Sequence, residues 1–257
     1  MKSFRPTASP SQTPSMGASG LLRASAFHRQ RRPARTAEEL RRRRASLGSA
    51  MLHDLQRGQR EGREADVLEL LAAAVRHSRS VLVHLQFEAH VLPLTLYPHR
   101  GLAHLPVPLE SFLGWRLGEL RVAGFDVPGV PPPDLHEPAD GEVCAPLCEY
   151  HPLSLLLWEL SLRGPRATLL PEIDGPAVYR IAPGVDLRSL DLRGSIFKAT
   201  TLLQRRAFGL REVASWPDFD RERAARLLNA LYLQAGLIVT RSRPAGVDAE
   251  AVRSFSN

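Results

Sequence analysis

The strongest hydrophobic pattern in the chain runs from Val81 to Pro108. Val81, Val83, Leu85, Phe87, Ala89 and Val91 are apolar, and His84, Gln86, Glu88 and His90 alternate with them. Successive strand side chains point to opposite faces, so a period of two sends one row into a core and the other to water. The phase then slips, and Leu92, Leu94 and Leu96 become the apolar row. A one-residue slip inside a strand needs a bulge or a break, and Pro93 cannot donate to a ladder. The pattern therefore predicts one bent strand kinked near His90–Pro93. A turn at His99-Arg100-Gly101 and a returning strand over Leu102 to Pro108 follow.

Helical periodicity brackets this sheet. Ala65 to Arg76 carries an apolar stripe at Val67, Leu68, Leu70, Leu71 and Ala74. Leu109 to Val122 also scans as a helix, with Gly124 as its C′ residue. Leu153 to Arg163 is a further helix, stopped by Gly164 and Pro165. Two short strands are predicted next, Ala167 to Ile173 and Ala177 to Ile181, with Asp174-Gly175 as their turn.

The C-terminal region is predicted as three helices, Arg193 to Phe208, Gly209 to Ser215 and Asp220 to Gln234. Asp218 or Asp220 caps the third, and a strand at Leu237 to Arg241 closes the set. Three helices followed by a strand resembles a winged-helix module in order and size. The expected fold class is α+β: a small sheet domain with packed helices, then a helical, winged-helix-like C-terminal domain. In residues, 1–64 form a disordered basic tail and linker helix, and 65–125 the sheet domain. A Pro-rich linker covers 126–143, a helix plus short hairpin 144–185, the winged-helix-like module 186–243, and a flexible tail 244–257.

Charge changes the picture only locally. Residues 1–64 hold 14 of the 34 Lys+Arg and 5 of the 27 Asp+Glu, while the remaining chain holds 20 and 22. Basic character therefore belongs to the tail, where Arg41 to Arg44 spread around a helix predicted to start at Thr36. Weak, nonspecific nucleic-acid binding through this tail is expected. Lysine occurs only at Lys2 and Lys198. With abundant Ala, Leu, Pro and Arg, this composition points to a GC-rich, bacterial genome and weakens arginine as a sign of a nucleic-acid partner. No apolar run is long enough for a membrane span. Lys2 and Arg5 have no apolar segment behind them, so no secretory signal is expected and the cytoplasm is the default.

Candidate chemistry is sparse. His136, Cys144, Cys148 and His151 approach a zinc motif, but Pro146 and Pro152 argue against the regular helix that would put both thiols on one face, and the outer histidines have no standard spacing, so no metal is expected there. His84, Glu88, His90 and His104 sit on or near the polar strand face. They suit a metal-dependent enzyme, although a solvent face alone accounts for them. Arg221, Arg223, Arg226 and Asn229 stand near the start of the last helix, where a helix-turn-helix protein meets phosphates and bases. Glu222 and Asp218–Asp220 would oppose phosphate there. No P-loop, G-x-G-x-x-G, G-x-S-x-G or H-E-x-x-H occurs, so no cofactor and no enzyme activity are expected. The reading is a regulatory or adaptor protein acting through a protein partner. A DNA-binding regulator using the C-terminal module is the alternative, and a metal-dependent enzyme the third.

Overall fold

The computed structural model describes residues 21–30, 50, 51, 54, 66–126, 128, 149–190 and 192–241. The disorder expected for the basic N-terminal residues does not hold at 21–30, which form a short strand and helix because Leu22–Arg23 pair with the sheet and Phe27 is buried. Residues 1–20, the helix expected from Thr36, the arginines 41–44, most of the Pro-rich linker with His136, Cys144 and Cys148, and the tail beyond 241 lie outside the described residues.

The apolar row at 81–87 does form a strand, but the chain then reverses instead of bending. Strand β2 (Val81–Phe87) pairs antiparallel with β3 (His90–Tyr97), and Phe87 stands opposite His90. Glu88 and Ala89 make the turn, with Glu88 at a φ of 51°. The predicted phase slip is this hairpin. Residues opposite each other share a face, so Leu92, Leu94 and Leu96 lie beside Leu85, Val83 and Val81 without any bulge. Pro93 is tolerated in β3 for a related reason. It faces His84 on one side. On the other it falls between the residues paired with β1 (Leu22–Arg23) and those paired with β4 (Leu102–His104). A missing N–H leaves no ladder bond unmade there.

The helix expected over Leu109 to Val122 is replaced by shorter elements. α3 (Leu109–Leu113) ends at Gly114, a 3-10 turn covers Leu117–Glu119, and β5 (Arg121–Asp126) follows. Gly114 and Gly118 weaken a helix, while Val122 and Phe125 find places opposite Leu85 and Val83 in the sheet. The strand order is β5-β2-β3-β4-β6, with β6 at Tyr150–Pro152 and β1 joined to β3. Ahead of β2, α1 (Ala24–Gln30) follows β1, and α2 (Val67–Arg76) is capped by Asp66, whose Oδ1 accepts from the Leu68 and Glu69 N–H groups at 2.7 and 3.1 Å.

Helix α4 (Leu153–Arg163) forms as its pattern predicts. The strand expected at Ala167 to Ile173 does not. Its backbone is satisfied by side chains: Arg166 Nε donates to the Thr168 and Leu169 carbonyls, and Asn229 bridges 168 and 170. Gly175 still turns with a φ of 108°. It leads into β7 (Ala177–Ile181), whose neighbours come from later in the chain. These are β8 (Phe208–Gly209) and β9 (Leu237–Arg241), in the order β8-β7-β9. Between them lie α5 (Gly194–Arg205), α6 (Leu210–Ala214) and α7 (Arg221–Leu233), the last capped by Asp220, not Asp218.

Helices and antiparallel sheets make this an α+β fold. One continuous buried cluster includes Leu71 of α2, Leu94 of β3, Trp158 of α4, Tyr179 of β7 and Leu228 of α7. The core therefore runs through positions on both sides of the Pro-rich stretch. Arg166 joins the two parts, pairing with Asp66 at 3.1 Å and Glu69 at 2.6 Å at the start of α2. Arg76, at the other end of α2, pairs with Asp54 and Glu172. Among the described residues, no helix is long and apolar enough to cross a membrane.

Candidate functional site

The strand-face histidines do not gather. His84 points away from the apolar row, opposite Pro93 and Gly124, and is half-buried with its ring 4.7 Å from that of Phe27 in α1. The expected exposed position is thus partly covered by an element the sequence pattern did not reveal. Glu88 sits in the exposed turn, with Arg116 at 3.7 Å. His90 pairs with Phe87, which puts it at the end of the apolar face. Among the described residues, no three His, Cys, Asp or Glu side chains converge as metal ligands.

His104 has a different setting. It is buried, and its Nε2 lies 2.8 Å from Glu149 Oε2. The Tyr150 ring packs 5.0 Å from the imidazole and 6.3 Å from Tyr97. Burial, with Tyr150 nearby, pushes the Tyr97 phenol up to about 12. His151 pairs with Ala103 across β4 and β6, and its Nε2 is buried without a hydrogen-bond partner. Burial, and then the neighbouring His104, hold its pKa below the ordinary imidazole value. The His104–Glu149 contact ties the start of β6 to β4 and so locks the edge strand to the sheet. The two residues are far apart in sequence, and no local spacing announces their pairing.

The C-terminal arginines and Asn229 separate into two environments. Arg221 and Arg223 are exposed. Arg223 donates to the Asp218 carbonyl and to Ser195 Oγ, both at 3.0 Å. Arg226 turns inward, donating to the Leu162 carbonyl at 2.9 Å and pairing with Glu222 at 2.8 Å. Asn229 is fully buried: its Oδ1 accepts from Leu170 N–H at 2.8 Å and its Nδ2 donates to the Thr168 carbonyl at 2.9 Å. Asn229 thus has no surface to present to an outside partner, and the four residues form no single exposed row. After its first turn α7 is enclosed. Ala224, Ala225, Leu227, Leu228, Ala230, Leu231 and Leu233 are all buried. α4 runs antiparallel beside it, tied by Arg226 to Leu162 at one end and by Gln234 to Ser154 at the other.

Among the described residues, α5 carries two of the exposed large apolar side chains. Phe197 is 57% exposed and Leu202 39%. Lys198 and Arg205 are exposed beside them and, among the described residues, have no acidic partner. Sequence reasoning passed over this face because Ala199, Thr200 and Leu203 supply a credible buried stripe, which makes the remaining apolar residues look like part of the same core. No family model, no curated protein and no solved structure matches the chain.

Proposed function

We propose that this protein is a regulatory or adaptor protein that works by contact with a protein partner. One observation carries the reading: α7, the helix that would read DNA, is enclosed by α4, α6 and the core after its first turn. A recognition helix must present several side chains to base edges in the major groove. Here Ala224 to Leu233 are occupied by internal packing, and the exposed first turn carries Glu222 and follows Asp218 and Asp220. Those carboxylates repel phosphate. The order α5, β8, α6, α7, β9 supports reading residues 186–243 as winged-helix-like, with β7 as a central strand contributed from just outside that segment. Such a module then serves as a packing unit that offers its outer helices to other proteins. A cytoplasmic, bacterial setting fits the composition.

Chemical cross-linking in cells of the source organism, read by mass spectrometry, tests this. The reading expects the full chain to cross-link to a small set of proteins at defined residues. Cross-links to nucleic acid alone, lost in Arg221→Ala and Arg223→Ala variants, would overturn it in favour of DNA binding.

A further inference from the structure

We infer that the outer face of α5 is a docking surface for an acidic segment of a partner protein that carries apolar anchors; the inference rests on the protein-contact reading above. Residues three and four apart on a helix are neighbours on its surface. Phe197, Thr201 and Arg205 follow one another at a spacing of four, and Lys198 and Leu202 form the adjoining row. An apolar ring and an isobutyl group thus stand beside two cations on one contiguous face. Phe197, at 57% exposure, is the largest open apolar side chain among the described residues. Interface cores are enriched in aromatic side chains and arginine, and this face offers Phe197 and Arg205.

Charge complementarity chooses the occupant. Among the described residues Lys198 and Arg205 form no ion pair, and an acidic segment seated on α5 would face both cations. A second copy of the chain is disfavoured, because a two-fold contact on this face brings the cations of one copy against those of the other. The basic residues 1–64 are disfavoured as an occupant by the same repulsion. A nucleic-acid strand satisfies the cations but leaves Leu202 against a charged backbone.

The test is selection of phage-displayed random peptides on the full chain, followed by binding titrations with the winning peptide. The inference expects winners rich in Asp and Glu with aromatic or aliphatic anchors. Phe197→Asp, and separately the Lys198→Glu, Arg205→Glu double variant, should each weaken binding by about tenfold or more. The charge-reversed variant should in turn prefer a winner whose acids are replaced by lysine. These positions are exposed, so unchanged thermal melting verifies the fold of each variant. No enrichment, enrichment without acidic bias, or winners indifferent to the α5 variants would overturn the inference. Winners that bind elsewhere on the chain overturn the inference and leave the protein-contact reading standing.

Discussion

Asn229 offers the sharpest test of how the C-terminal helices are used. Its amide is fully buried and is the partner of two backbone groups, the Leu170 N–H and the Thr168 carbonyl. Asn229→Leu keeps the side chain near its original size and removes both bonds. The Thr168 carbonyl keeps its bond from Arg166, but the Leu170 N–H is left with nothing in its place. A buried polar group stripped of its partner costs about 1–3 kcal/mol, and the second lost bond adds about 0.5–1.5 kcal/mol. The total is about 2–4 kcal/mol. With a urea m-value of about 2–3 kcal/mol/M for a chain of this size, the unfolding midpoint should fall by about 1 M. Urea titration followed by circular dichroism and by tryptophan fluorescence reads it, and agreement of the two probes checks the two-state treatment. Arg221→Ala, at an exposed position in the same helix, should change stability by no more than about 0.5 kcal/mol. An Asn229→Leu midpoint equal to that of the native chain would refute the reasoning, because it would mean that the amide is not needed inside.

Three further outcomes follow from the same structure. Arg166→Ala should destabilise by about 2–3 kcal/mol in the same urea titration, less than for a fully buried pair because Asp66 and Glu69 remain partly solvated. Phe87→Ala should cost about 2–3 kcal/mol by removing both burial and the stacked Trp115, whose ring lies 5.0 Å away at 11°, while an unchanged midpoint would contradict the hairpin packing. His151 has a folded pKa below its unfolded value, so the folded state favours the neutral ring: stability should be full above about pH 6.5 and decline as pH falls through the lower, folded value. Thermal melts across that range should show a shallower decline in His151→Gln than in the native chain.

How legible the fold was depends on what held each element. Where a local pattern and a local stop coincide, the reading is close: α4 at Leu153–Arg163 lies between Pro152 and Gly164, and β7 and β9 form at the predicted residues. The hairpin at Glu88–Ala89 was hidden because it carries neither Gly nor Pro, and Glu88 takes its positive φ without the usual turn residue. Leu109 to Val122 fits helical spacing, but Val122 and the following Phe125 are placed by a partner strand distant in sequence. The segment 167–173 had the composition of a strand, yet Asn229 and Arg166 supply the bonds a ladder would have made. The candidate sites were harder still. Whether Asn229 faces water or the core is decided by the segment at Thr168–Leu170 that its amide binds, and whether Phe197 is core or surface is decided by which face of α5 packs inward. Neither is written in the spacing of those helices alone.

Selection from random DNA duplexes, with the full chain at physiological salt, tests the central claim most directly. An enclosed α7 predicts binding that is weak, falls steeply with added salt as counterion release requires, and enriches no consensus sequence. An enriched consensus that is lost in Arg221→Ala and Arg223→Ala variants would contradict the account, because it would show the α7 helix reading bases.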